Sequence, residues 1–265
     1  MSIITLVTDF GNTDPYVGIM KGVILSICPD AKIVDISHNI TPQNIQQANW
    51  ILKCSYTYFP KGTIHVCVVD PGVGSTRKPI LLETSNYFFI GPDNGIFTAI
   101  LEQEIIKNAI ELREEKYWLK NISKTFHGRE IFAPVAAHLA GGVSPKEFGK
   151  IINVETLRCN VSTNELIKTK NGYQGIVQYI DCFGNLITNI PDAFLPQKIK
   201  GKIKNIAFGG LVSSYSEGEK DKLFAIIGSH GFLELSVNKG SAVKLTGAGV
   251  GDKVEIYVSW SNVFS

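Results

Sequence analysis

Asp70 ends the apolar run Thr63–Val69 and opens the loop Pro71-Gly72-Val73-Gly74-Ser75-Thr76-Arg77. Alternating β-branched residues read as a buried strand. A carboxylate at the carboxyl end of such a strand sits where open α/β sheets build ligand sites. With Arg77 on the same loop, a fixed negative and a fixed positive charge flank one small cavity, which suits polar chemistry on a small molecule. A structural ion pair within the loop accounts for the two residues equally well.

Asp9 repeats the pattern at the end of Ile3–Thr8, within Asp9-Phe10-Gly11-Asn12-Thr13-Asp14. Its paired oxygens suit the two hydroxyls of a ribose. A turn or helix cap is the competing account, and it fits Asp14 before Pro15 well. His127, in Phe126-His127-Gly128-Arg129-Glu130, has an unperturbed pKa of about 6.5 and suits proton handling near neutrality. A lone histidine before a helix is also an ordinary loop residue, and Arg129 and Glu130 read as helix-start charges. Asp181-Cys182-Phe183-Gly184-Asn185 is by itself a plain turn between strands. To serve a ligand it needs Phe183 to stack on a flat ring and Asn185 to read that ring's polar edge. Ser229-His230-Gly231 is a similar turn. The phosphate-loop pattern G-x-x-x-x-G-K-[ST] is absent.

The elements that must position these residues change character along the chain. The first half alternates strand and helix: strand Ile3–Thr8, helix Tyr16–Cys28, strand Ala31–Ser37, helix Pro42–Phe59, strand Thr63–Asp70. Such alternation predicts parallel pairing through right-handed crossovers. Ile80–Thr84 and Tyr87–Gly91, separated by Ser85-Asn86, predict a hairpin and therefore a mixed sheet. A helix from Pro92-Asp93-Asn94-Gly95 through Glu102, a strand at Ala109–Arg113 and a helix at Arg129–Ala140 follow. From Gly172 onward come short β-like runs: Gly175–Ile180, Leu186–Ile190, Ile203–Phe208, Phe224–Ile227, Phe232–Val237 and Val254–Val258. The fold class expected is an α/β N-terminal domain (1–155) with a mostly parallel mixed central sheet. A polar linker (156–171) joins it to a smaller all-β, barrel-like C-terminal domain (172–265).

Composition sets outer limits. The 265 residues are 44% hydrophobic and 19% charged, with a net charge of +2. That supports a large core and gives no basic surface for nucleic acid. The five cysteines, at 28, 54, 67, 159 and 182, are odd in number and show no CxxC spacing. They read as small buried apolar side chains rather than zinc ligands or disulfides, which fits a reducing cytoplasm. The N-terminus lacks the basic region and apolar core of a signal peptide, and no run of about 20 apolar residues predicts a membrane span.

Taken in order, TDFGNTDPYVGIMKG, SHNITPQNI, VVDPGVGSTRKP, GPDNG, FHGREIFAPVAAHLA, IDCFGNLITNI and GSHGFL resemble the S-adenosyl-L-methionine (SAM) hydroxide adenosyltransferases, relatives of the fluorinating and chlorinating enzymes. The resemblance covers essentially the whole chain. It implies attack of water or hydroxide at the ribose 5′ carbon of SAM, giving adenosine and L-methionine, with SAM as substrate and no cofactor or metal. It also implies a homotrimer with sites at subunit interfaces. The family's catalytic aspartate, arginine and histidine fall on Asp70, Arg77 and His127. Its substrate-binding positions fall on Asp9, Asp70, Phe126, Asp181, Phe183, Asn185 and Ser229. Asp9 would bind ribose, Phe183 would stack on adenine, the Asn185 amide would read its polar edge, and Asp181 would hold the methionine amino group. The halogenating relatives place an arginine where His230 stands and an aromatic where Gln43 stands. They carry tyrosine, threonine and serine at the positions of Asp70, Val73 and Gly128, and an extra loop at Ser85-Asn86. Those departures favour water over a halide as nucleophile. A halide-using SAM lyase and a nucleoside-binding sensor are the alternatives.

Overall fold

The computed structural model describes residues 2–159, 166–195 and 199–257. The chain divides into two compact units, Met1–Asn160 and Val161–Ser265. The first runs β1 (Ile3–Thr8), α1 (Tyr16–Ile27), β2 (Lys32–Ser37), α2 (Ile45–Ser55), β3 (Ile64–Val68), β4 (Pro79–Glu83), β5 (Phe88–Pro92), α3 (Thr98–Gln103), β6 (Asn108–Leu112), α4 (Ala133–Ala140) and β7 (Gly149–Ile151).

These strands form a seven-stranded sheet in the order β2-β1-β3-β5-β4-β6-β7. β1 pairs in parallel with β2 and β3, and β3 with β5. The β4–β5, β4–β6 and β6–β7 pairs are antiparallel. The sheet is therefore evenly mixed by pairing, where the sequence suggested a parallel majority. The link from Thr84 to Tyr87 is too short for a crossover, so β4 and β5 must run antiparallel. Thr84 Oγ1 closes that turn by accepting from the backbone N–H of Asn86 (3.2 Å) and of Tyr87 (3.0 Å).

Strand alternation sorts two cores onto the two faces. Ile4 and Leu6 of β1 and Ile64, Val66 and Val68 of β3 pack with Met20 and Ile24 of α1 and with α4. Val7, Cys67 and Val69 face the other way, against Ala48 and Leu52 of α2 and Ile100 of α3. From β1 the chain crosses to β2 on one side, and from β2 it returns to β3 on the other. The reversal opens a crevice at the carboxyl ends of β1 and β3.

Three helices differ from expectation. α2 begins at Ile45, not Pro42, because Gln43 takes a left-handed backbone (φ 66°) and Asn44 caps the helix through Gln47 N. The segment after Pro92 is helical only over Thr98–Gln103. The predicted helix 129–140 opens with a π-helical turn, Gly128–Phe132, before α4.

The second unit runs β8 (Ile167–Thr169), β9 (Gly172–Ile180), β10 (Leu186–Pro191), β11 (Lys200–Ile203), β12 (Ile206–Gly209), β13 (Leu211–Val212), β14 (Leu223–Ile227), β15 (Phe232–Val237), α5 (Ala242–Thr246) and β16 (Lys253–Tyr257). They form one nearly barrel-shaped nine-stranded sheet that folds back until β12 meets β14, around a core including Val177, Leu186, Phe208, Leu235 and Val254. Ile203–Phe208, read as one strand, is a hairpin. Lys204 (φ 50°) reverses the chain, and β11 pairs antiparallel with β12. The stretch 156–171, expected as linker, contains β8, which pairs with β9, and Leu157, which packs in the first unit's core. The predicted strand end at Val258 lies outside the described residues. Among the described residues no helix is long and apolar enough to cross a membrane.

Candidate active site

Parallel register places the two lead carboxylates side by side. Thr8 of β1 pairs with Val68 of β3, so Asp9 and Asp70 leave the same sheet edge on adjacent strands. They line a cavity of about 430 Å³ together with Phe10, Asp14, Tyr16, Pro42, Gln43, Val73, Thr125, Phe126, His127 and Gly128.

Arg77 grips Asp70 with two nitrogens: Nε lies 2.9 Å from Oδ2 and 3.1 Å from Oδ1, and Nη2 lies 2.5 Å from Oδ2. The Arg77 and Asp70 side chains are only 3% and 6% exposed. The same Nη2 donates to Nδ1 of His127 at 2.7 Å. Arg77 does not line the cavity; it lies behind Asp70 and holds both wall residues. The planar guanidinium holds Asp70 through two nitrogens at once, which a single ammonium cannot do. Burial, followed by the Arg77 charge, holds the His127 pKa below the usual imidazole value. The Asp70 and Glu130 charges and the Ser123 backbone oppose that shift.

The wall around His127 is fixed from two sides. Phe10, Tyr16 and Phe126 form a mutual aromatic cluster with ring centroids 5.3–5.8 Å apart. A Cβ at Gly128 would meet Phe126 Cε2 at 3.2 Å and Met20 Sδ at 3.3 Å, so a side chain there would push these neighbours back by a few tenths of an ångström. Glu130, read from sequence as a helix-start charge, has a side chain fully removed from solvent. It accepts from Ser123 N at 2.8 Å and from Ser123 Oγ at 3.1 Å, and it pairs with Arg129.

Asp9 Oδ2 accepts from the backbone N–H of Gln43 at 2.8 Å, which leaves Oδ1 for a ligand. Asp14 does not cap α1; the N-cap position is Pro15, which makes no side-chain cap bond. Pro15 takes the cap position, so Asp14 stands one residue too far out to cap the helix, and it lines the cavity instead.

In the second unit Asp181, Phe183 and Asn185 share the β9–β10 turn. Asp181 Oδ1 accepts from the backbone N–H groups of Phe183 (3.0 Å) and Asn185 (2.9 Å), and Oδ2 accepts from Asn185 Nδ2 (2.8 Å). Asp181 thus organises the turn. One of the two Asn185 Nδ2 hydrogens is committed to it, which leaves the other and the carbonyl oxygen of that amide as reading groups. Phe183 is 73% exposed, an apolar ring held out at a turn. Gly184 takes a left-handed backbone (φ 82°) there, where a Cβ would strike Ser241. Ser229 is exposed in the β14–β15 turn beside His230, whose Nε2 lies 3.4 Å from Oε2 of the buried Glu234.

Residues 4–149 match the SAM hydroxide adenosyltransferase N-terminal domain and residues 175–255 match its C-terminal domain. The chain belongs to the SAM hydroxide adenosyltransferase family. It is 39% identical to an (R)-S-adenosyl-L-methionine hydrolase of Methanocaldococcus jannaschii, over 97% of this chain and 96% of that one. A protein of the same name from Thermus thermophilus is 33% identical over 97% of this chain and 100% of its own length. The crystal structure of an uncharacterized conserved protein from Thermotoga maritima superposes with a TM-score of 0.89 at 33% identity, covering 96% of this chain and 100% of that one.

Within this SAM hydroxide adenosyltransferase, Asp9, Asp70, Phe126 and His127 meet at one cavity, with Arg77 behind it. Asp181, Phe183 and Asn185 meet at one turn. Sequence reasoning missed Tyr16, Thr125 and Glu130. Tyr16 had a signal, an aromatic at the start of a helix straight after the Asp9 loop. Glu130 had none, because nothing local distinguishes a buried carboxylate from an exposed one. Among the described residues no group of three or more His, Cys, Asp or Glu could hold a metal ion.

Proposed function

We propose that this enzyme hydrolyses SAM to adenosine and L-methionine, with water or hydroxide attacking the ribose 5′ carbon. The observation that carries the reading is the Asp70 carboxylate on the cavity wall, gripped from behind by Arg77, which also binds His127. Family membership supplies the substrate class.

The sulfonium is already a good leaving group, so the barrier lies in the nucleophile. Generating free hydroxide from bulk water (pKa about 15.7) at about pH 7 costs about 12 kcal/mol. Asp70 orients the water and accepts its proton as the new bond forms. His127 donates to the oxygen through Nε2, since Nδ1 is committed to Arg77. Arg77 holds both groups in place. Asp9 holds the ribose. Phe183 stacks on adenine, Asn185 reads its edge, and Asp181 and Ser229 take the methionine end. Gripping the two ends of SAM separately aligns oxygen, carbon and sulfur. Meeting of hydroxide and sulfonium annihilates charge, so expelling bulk water lowers the barrier further.

We further read 1–155 and 172–265 as the two domains of a cytoplasmic homotrimer with its sites at subunit interfaces. The family resemblance, the exposed Phe183 ring and the five free cysteines support this.

A halide in place of water would sit against Asp70, at a Coulomb cost of roughly 4 kcal/mol at about 4 Å and an effective dielectric of about 20. The test is incubation with SAM, with and without high chloride, followed by chromatography. Adenosine and methionine at equal rates in both support hydrolysis. 5′-Chloro-adenosine refutes it, and retained adenosine without methionine release over hours marks a sensor.

A further inference from the structure

Glu130 is a buried carboxylate that does not line the cavity, and no catalytic role above uses it. Its oxygens hold one residue of the preceding loop: Ser123 donates its backbone N–H at 2.8 Å and its hydroxyl at 3.1 Å. Arg129 supplies the countercharge and lies over the Phe126 ring, 5.0 Å from its centroid. A buried carboxylate without bonded partners is costly, so these contacts fix the Ser123 turn firmly.

Arg77 Nη2 lies 2.7 Å from Nδ1 of His127. A guanidinium has donors only. Nδ1 therefore presents a lone pair, and the ring proton sits on Nε2. Glu130 lies on the π-helical turn Gly128–Phe132 that starts immediately after His127. Such turns recur at functional sites because they re-aim one residue within a helix.

We propose that Glu130 is a positioning residue for His127. By clamping the N–H and hydroxyl of Ser123 and, through Arg129, the Phe126 ring, it holds the segment that carries His127. The imidazole is thereby kept where Arg77 Nη2 meets Nδ1, which fixes the Nε2–H tautomer. With a nucleophilic oxygen in the cavity, that Nε2 proton is the ring's one donor. The inference rests on the hydrolase reading for its catalytic meaning; the tautomer itself does not.

The test uses the full chain with ¹⁵N-labelled histidine, in wild type and Glu130→Gln. The charged groups facing His127 are Arg77, Asp70 and Glu130. Wild type should show Nε2 protonated and Nδ1 bare; protonation at Nδ1 overturns the proposal. Glu130→Gln should exchange the Nε2 proton with water faster and lower kcat about tenfold, with KM held within about twofold. With one facing negative charge removed, its acid limb of activity should move to lower pH. A folded Glu130→Gln with wild-type kcat, acid limb and exchange refutes the role. If Glu130→Gln does not fold, Ser123→Ala keeps the Glu130 charge and removes only the hydroxyl contact. It should lower kcat about threefold and leave both KM and the acid limb unchanged; wild-type kcat there refutes the role. Wild type that releases no adenosine refutes the hydrolase reading, and the exchange comparison between wild type and Glu130→Gln still decides on Glu130.

Discussion

Nη2 of Arg77 lies 2.7 Å from Nδ1 of His127, and since the guanidinium only donates, the imidazole must be neutral at that nitrogen. Protonation of His127 would put two donors face to face and break the Asp70–Arg77–His127 chain. Burial and the Arg77 charge together keep its pKa below the ordinary value of 6.5. Turnover should therefore hold level as pH falls through 6.5 and decline only below it. A kcat–pH profile with a limb at or above 6.5 contradicts this.

Asp70→Asn keeps the shape of the carboxylate and removes its charge. Turnover should fall by about 10²–10⁴-fold, the usual contribution of a positioned acid–base group. Adenosine affinity should stay within a few-fold, because the ribose is assigned to Asp9. Single-turnover kinetics together with calorimetric adenosine binding measure both, and wild-type turnover would remove Asp70 from the mechanism.

Arg77→Lys retains the charge but not the fork. A lysine at this position meets Asp70 through one nitrogen only and loses the two-nitrogen grip that fixes the carboxylate, so turnover should drop at least tenfold while KM changes little. Arg77→Ala leaves Asp70 buried and unpaired, and should destabilise the fold by about 3–5 kcal/mol in urea unfolding. Loss of less than about 1 kcal/mol would mean that water replaces the guanidinium.

Phe183→Ala should weaken nucleoside binding by about 1–3 kcal/mol, the range for one aromatic–base stack. The ring is 73% exposed, so the melting temperature should not move. A drop in stability with unchanged adenosine affinity would reverse the assignment.

His65 should make the fold acid-sensitive independently of catalysis. It is fully buried among Tyr56, Phe59, Tyr87 and Phe89, with Nδ1 bonded to Thr5 Oγ1 at 2.8 Å. Burial lowers its pKa from 6.5 to about 3. The unfolded chain binds the proton more readily, so its contribution to stability is complete above pH 6.5 and is lost progressively as pH falls toward 3. Between about pH 7 and 4.5 wild type should lose about 2–3 kcal/mol that His65→Phe does not lose, as read by urea unfolding. Equal losses in both proteins would place the acid sensitivity elsewhere.

Sequence alone determined much of this protein, because its signals are local. Alternating apolar residues set β1 and β3, so the positions of Asp9 and Asp70 at strand ends were legible before any coordinates. The short Ser85-Asn86 link fixed an antiparallel pair, and the ordered motifs identified the family. Tertiary structure decided what depends on contacts distant in the chain. The 1–3 strand adjacency and its Thr8–Val68 register brought the two carboxylates together. Nothing near residue 77 says that Arg77 sits behind the wall and reaches residue 127. Glu130 became a buried clamp only because Ser123 folds back onto it, and Asp14 lines the cavity rather than capping α1 because Pro15 takes the N-cap position. Burial and hydrogen-bond partnership are properties of the packed chain, and no side chain carries them in its own chemistry.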